Sequence, residues 1–233
     1  MHDAITFHDK GAARFDEGYD RSRAFQERYG VWKRYINRHV QPGMSVLDAG
    51  CGSGIFSFAA AARGALVTGI DGSAEMIALC ERKRQDLEVS NPQFEVGRIE
   101  DLAAMSAGSQ DVILCSSVIE YVDDIAAALG SFARLLKPSG VLIVSMPNAH
   151  SFYRKLERLT FSLTGKPRYY QFVRHVVTAD AMTHLLAKTH LCAEETAFYA
   201  DPPLPRPLSS ALGRNERRKT LFLTVARKTG PSV

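Results

Sequence analysis

Hydrophobic positions along the chain fall into short blocks, and the order of the blocks predicts strands alternating with helices. After a turn at Gln41-Pro42-Gly43, the apolar run Ser45 to Ala49 breaks into glycines and gives way to an Ala-rich helix over Ile55 to Arg63. The unit recurs as strand Ala65 to Ile70 with helix Ala74 to Gln85, then strand Gln93 to Val96 and a loop, then strand Asp111 to Cys115 with helix Asp124 to Leu136. Lys137-Pro138-Ser139-Gly140 stops that helix, and Val141 to Met146 is the next strand. Strands separated by helices imply a parallel sheet covered on both faces.

Ahead of this core, Phe7 to His39 carries aromatics (Phe15, Tyr19, Phe25, Tyr29, Trp32, Tyr35) at loosely helical spacing and reads as helices. Beyond Pro147 the alternation lapses until Thr178 caps a helix reaching Lys188. Strands near Cys192 to Tyr199 and Leu221 to Arg227 follow, separated by the proline-rich stretch Pro202 to Pro207. With no long helix between them, they are expected to pair antiparallel. One domain results, divided into an N-terminal helical cap (1–40), a core (41–147), an insertion (148–177) and a C-terminal helix and hairpin (178–233).

A length of 233 residues with 45% hydrophobic and 23% charged positions supports a substantial core and excludes wholesale disorder, collagen-like repeats and disulfide scaffolds. Cys51, Cys80, Cys115 and Cys192 are too far apart for a CxxC pair or zinc knuckle and read as reduced thiols. No basic flank and apolar segment follow Met1, and no apolar run approaches a membrane span, so the cytoplasm is the expected location. The net charge of +4 is weak ground for a nucleic-acid partner.

The most informative string is Val46-Leu47-Asp48-Ala49-Gly50-Cys51-Gly52-Ser53-Gly54. Glycines at alternate positions let the backbone approach a ligand closely, and the following helix offers its N-terminal amides. The dinucleotide pattern GxGxxG would need glycine where Ile55 stands; Gly54 makes the spacing GxGxG. Asp71 ends the second strand 21 positions after Gly50, the distance at which an acidic residue reaches a ribose diol.

Together with Gly97-Arg98-Ile99-Glu100-Asp101-Leu102, Val118-Ile119-Glu120-Tyr121-Val122 and Leu135 to Gly140, these residues resemble the class I S-adenosylmethionine-dependent methyltransferases. The resemblance runs over Gly43 to Met146 and more loosely to Arg227. It implies a Rossmann-like α/β sheet of seven strands, order 3-2-1-4-5-7-6 with strand seven antiparallel, and S-adenosylmethionine over the carboxyl ends of strands one, two and four. It assigns Asp48, Gly50, Cys51, Gly52 and Gly54 to the turn around the methionine portion, and Asp71, with Gly72 beside it, to the ribose hydroxyls. Met76 would lie on the adenine, Ile99 would offer its amide to the ring, Glu100 would accept from the exocyclic amine, and Ser116 would touch the methionine end. Tyr19 resembles an N-terminal tyrosine that closes over the cofactor. Where the family has Asp two positions before Glu100, this chain has Arg98, which reads as a solvated surface charge.

Methyltransferases acting on the amines of bases carry Asn/Asp-Pro-Pro-Tyr/Phe after strand four, where this chain has Cys115-Ser116-Ser117-Val118. Asp201-Pro202-Pro203-Leu204 mimics that string but falls in a later loop. The chain is more similar to the small-molecule group that includes the ubiquinone-biosynthesis O-methyltransferases. Of that group's Glu-x-x-Glu-His metal motif only Glu120 is present, with Ser117 and Tyr121 at the other two positions, so no metal is expected.

Between His150 and His175 stand six Lys or Arg against Glu157 alone, interleaved with Phe152, Tyr153, Phe161, Tyr169, Tyr170 and Phe172. This segment reads as a substrate lid for an anionic aromatic acceptor, as a membrane-contacting surface, or as a solvated amphipathic helix over Phe152 to Leu163. His175, just before the helix capped by Thr178, stands where the resemblance implies a His facing the acceptor pocket and is the first candidate for general base; His8, and Glu120 and Tyr121 beside the methionine end of the cofactor site, are the others. The expected activity is methyl transfer to a hydroxyl, less readily an amine, of a small anionic or aromatic biosynthetic intermediate, by a monomer or homodimer. A tRNA or rRNA methyltransferase, favoured if Arg214, Arg217, Arg218 and Lys219 extended the basic segment, and a catalytically silent cofactor-binding partner subunit are the alternatives.

Overall fold

The computed structural model describes Ile5, Asp16, Gly18, Tyr19, residues 21–202 and residues 215–229. Helix α1 (Arg23–His39) precedes β1 (Ser45–Ala49), α2 (Ile55–Ala61), β2 (Leu66–Asp71), α3 (Ala74–Asp86), β3 (Gln93–Val96) and β4 (Gln110–Ser116). Then come α4 (Ile125–Leu135), β5 (Leu136–Pro147), α5 (Phe152–Thr164), α6 (Ala179–Ala187), β6 (Leu191–Tyr199), the short α7 (Asn215–Arg218) and β7 (Leu221–Lys228). The strands form one sheet in the order 3-2-1-4-5-7-6. β7 runs antiparallel to both β5 and β6, and the remaining pairings are parallel.

Alternation along the central strands sends side chains into two cores. Val46, Val112, Leu114 and Ile143 pack on one face with Trp32, Tyr35 and Ile36 of α1 and Phe56 of α2. Leu47, Ile113, Cys115 and Val144 pack on the other with Leu129 and Phe132 of α4 and Met182 and Leu186 of α6. The helix starts follow their capping residues: Asp124 accepts from the amides of Ala126 and Ala127, and Thr178 accepts from that of Ala181.

Two features depart from the sequence expectation. The residues Lys137 to Gly140 do not separate α4 from its strand but lie within β5, because Leu136 already pairs with Gln110. The register shifts between Gln110 and Val112, and Ser139 turns through a left-handed φ of 63°. The loop after β3 closes as a 3-10 turn, Ile99–Ala104, anchored by the buried Ile99 and Leu102.

Candidate active site

At the carboxyl ends of β1, β2 and β4 the glycine turn encloses a cavity of about 190 Å³. Gly50, Gly52 and Gly54 all have positive φ. At Gly50 (φ +76°) the requirement is also spatial, since a Cβ there would lie 2.4 Å from Val118 Cγ2. The amides of Gly50 and Cys51 both donate to Ile70 O, which ties the turn to β2. Asp71 Oδ2 accepts from Gly52 N at 2.8 Å and Oδ1 from Ser73 N at 2.9 Å. These two bonds fix the carboxylate plane, and each oxygen has lone-pair capacity for a further donor.

Tyr19, Gly50, Cys51, Gly52, Asp71, Gly72, Met76, Ile99 and Ser116, which the sequence marks as cofactor residues, line this cavity. Asp48, Gly54 and Glu100 do not. Asp48 lies fully buried beneath the turn, where Oδ2 accepts from Ser57 Oγ at 2.6 Å and burial pushes its carboxyl up to about 7. A Cβ on Gly54 would meet Cys80 Sγ at 2.9 Å, so that glycine serves the packing of the turn on α3. Glu100 is exposed and faces Arg98 at 3.7 Å. Arg98, read from sequence as a solvated charge, instead forms part of the wall, because the turn after β3 folds it back toward Gly72.

A second, larger cavity of about 1100 Å³ adjoins the first, and Arg28, Ser117 and Tyr121 line both. Its wall includes Phe25, Glu120, Tyr153, Arg154, Glu157 and Tyr169. Glu120 is 2% exposed, and among the described residues its Oε2 has no hydrogen-bond partner. Burial pushes its carboxyl up to about 7, against the lowering effect of Arg28 and Arg154. Burial likewise raises the Tyr121 phenol well above its ordinary value. Ser117, at the end of β4, has a left-handed φ of 55° and a buried Oγ that also lacks a partner among the described residues.

His175 lines neither cavity. Its Nε2 lies 3.0 Å from Val122 O and its backbone amide donates to Glu120 O, so it fastens the segment before α6 to the turn that carries Glu120. His8 lies outside the described residues. Sequence reasoning passed over Arg28 and Ser117. Arg28 reaches the site from α1, donating from Nη2 to Ser116 O at 2.9 Å and Ser116 Oγ at 2.7 Å, a contact that no local spacing announces.

The basic segment divides in two. Arg154 turns inward, donating from Nη1 to Glu157 at 2.7 Å and to Tyr169 Oη at 2.6 Å, while Arg174 pairs with Asp123. Further along, Lys219 pairs with Glu27 and Asp201, and Arg218 with Asp201, so these cations do not extend a bare basic stripe; Arg214 lies outside the described residues.

A family model described as a methyltransferase domain matches residues 40–194, more than half of the chain. The chain belongs to this methyltransferase family. Among curated relatives, the ubiquinone biosynthesis O-methyltransferase of Xanthomonas axonopodis pv. citri is 38% identical over 115 residues, 49% of this chain and 48% of that protein. The protein of the same name from Albidiferax ferrireducens is 37% identical over 49% of this chain and 46% of its own length. This methyltransferase-family chain thus matches about half the length of those relatives. Among solved structures, the magnesium protoporphyrin IX methyltransferase of Synechocystis PCC 6803 with bound SAH superposes with a TM-score of 0.71 at 18% identity, covering 96% of each chain. A methyltransferase of Haloferax volcanii in complex with its Trm112 activator gives 0.69 at 20% identity over 96% of this chain and 98% of that one. These likenesses establish the fold shared within the family.

Proposed function

We propose that this chain transfers the sulfonium methyl group of S-adenosylmethionine to a hydroxyl of a small aromatic acceptor, without a metal, and that Glu120 receives the acceptor's proton. The observation that carries the reading is that Glu120 lines the larger cavity, beside the residues shared with the smaller one, and that its buried Oε2 has no hydrogen-bond partner among the described residues.

The smaller cavity fits the cofactor. The turn at Gly50 leaves no room for a side chain, Asp71 is oriented to accept from a ribose diol, and the buried Met76 and Ile99 offer apolar surface for a purine. Arg28, at the Ser116 end, supplies a cation for the amino-acid carboxylate. S-adenosylmethionine supplies a methyl group on a sulfonium whose leaving group is a neutral thioether, so the protein's main task is to align the acceptor oxygen at about 3 Å.

Phe25, Tyr121, Tyr153 and Tyr169 give the larger cavity aromatic walls, which favours an aromatic acceptor over an aliphatic one. Arg154 is neutralised by Glu157, which weighs against recognition of an anion by this residue. A carboxyl group titrating near 7 takes a proton efficiently at neutral pH. As the acceptor oxygen bonds to the methyl carbon and the carbon–sulfur bond breaks, the hydroxyl proton passes to Glu120 Oε2.

Transfer of tritium-labelled methyl from S-adenosylmethionine to a panel of phenols and catechols, in the presence of a metal chelator, tests the reading. Labelled methyl ethers support it. Intact cofactor binding with no labelled product from any acceptor would favour the silent-partner role instead.

A further inference from the structure

The helix α5 has its polarity reversed. Phe152, Leu156, Leu159 and Leu163 follow one another at intervals of four, three and four residues, which sets them on one stripe of a helix. In a surface helix of a globular protein such a stripe faces the core. Here the four are 46%, 57%, 55% and 76% exposed, and no residue of α5 is buried. The helix meets the protein through its other face, where Arg154 binds Glu157, Tyr169 and Thr220 O, and Phe161 packs on Tyr170 at 5.4 Å between ring centroids.

Charge on this part of the molecule is one-sided. Lys155, Arg158, Lys166 and Arg168 are exposed, and none forms an ion pair among the described residues. Glu157, the sole acidic residue of α5, is half-buried on the inner face, with its carboxylate on Arg154. On the outward half of α5 the apolar stripe is bordered by Lys155, Arg158 and exposed hydroxyl side chains, with no acidic residue of the helix among them; the nearby Glu216 of α7 pairs with His150.

We propose that the outer face of α5 docks on an anionic lipid surface. An apolar stripe bordered by uncompensated Lys and Arg suits the boundary of acyl chains and acidic headgroups, where the leucines leave water and the cations meet opposite charge. A second copy of the chain fits less well. Two such stripes face to face would oppose cations to cations, and a helix of 13 residues, about 20 Å long, offers far less than the roughly 800 Å² per partner of a stable interface. Among the described residues no helix is long and apolar enough to cross a membrane, so the contact is peripheral. Arg154 and Glu157 of the same helix line the larger cavity, so docking would hold that cavity close to the lipid surface. The inference does not depend on which acceptor is methylated.

Flotation of the full chain with vesicles of phosphatidylcholine, alone or mixed with phosphatidylglycerol, tests it. The protein is expected to float with the anionic vesicles, to be released by high salt, and to lose at least about tenfold of its partitioning in the double variant Leu156→Gln, Leu159→Gln. Both positions are exposed, so the variant's melting temperature and S-adenosylmethionine binding serve as controls for folding. Equal flotation with neutral and anionic vesicles, no flotation with either, or unchanged binding by the variant would overturn the proposal. A dimer in light scattering that the same variant dissociates would assign the stripe to a second copy instead.

Discussion

Arg28 and Ser116 stand 88 positions apart in sequence, yet one guanidinium nitrogen donates to both the carbonyl and the hydroxyl oxygen of that serine. The contact fixes a cation where the two cavities meet. Replacing Arg28 with Leu is expected to weaken S-adenosylmethionine binding by roughly ten- to a hundredfold, the loss of a charge-assisted hydrogen bond of about 1.5–3 kcal/mol. Methylthioadenosine lacks the amino-acid end and should bind variant and wild type alike. Titration calorimetry with both compounds separates the cases; an equal loss for both would mean that Arg28 supports the end of β4 and makes no carboxylate contact.

Asp71 is held by Gly52 N and Ser73 N in an orientation suited to a diol. Asp71→Ala is expected to weaken S-adenosylmethionine and methylthioadenosine together, by at least about tenfold, since both carry the ribose. Unchanged affinity in calorimetry would remove the ribose assignment.

At Gly50 the added methyl of alanine would overlap Val118 in a backbone conformation that side chains rarely adopt. Gly50→Ala should therefore cost about 2 kcal/mol or more, read as a lower melting temperature. The double variant Gly50→Ala, Val118→Ala should recover part of the loss, because it relieves the overlap and leaves the left-handed φ. No recovery would assign the whole cost to the backbone.

The raised carboxyl of Glu120 links stability to pH. Its folded-state value lies above the unfolded one, so the stabilising protonation is complete below the ordinary carboxylate range and is lost as pH rises through about 7. Glu120→Gln should melt at the same temperature as wild type near pH 4 and higher at pH 8, by an amount corresponding to about 3 kcal/mol. Asp48, also pushed up to about 7, titrates over the same window in both proteins and cancels in the comparison. A variant less stable than wild type at pH 8 would contradict the burial of an ionising carboxylate.

Legibility from sequence followed the range of the interaction. The strands Ser45–Ala49 and Gln93–Val96 end where the periodicity says, and the helix starts at Ala74 and Ala179 follow Ser73 and Thr178, because these features depend on neighbours within a few residues. The glycine turn and Asp71 were readable for the same reason, as a local conformation at a fixed distance from an acid. Arg28 is not readable in this way, since its partner Ser116 is 88 positions away. His175 stands where the family resemblance implies a base, but its Nε2 lies against Val122 O, 53 positions away, and the residue lines neither cavity. The segment after β5 showed its excess charge in sequence, but only side-chain packing distinguishes the paired Arg154 from its exposed neighbours.

In the proposed reaction Glu120 takes the acceptor's proton. The most direct test is the pH dependence of kcat/KM for wild type and Glu120→Gln, with S-adenosylmethionine and whichever phenol or catechol is methylated. The wild-type rate should rise with pH through an apparent pKa of about 7 and level off. Glu120→Gln should be slower by roughly 10²- to 10⁴-fold, lose that inflection and retain its affinity for S-adenosylmethionine. A variant with the wild-type rate and the same inflection would mean that Glu120 is not the base.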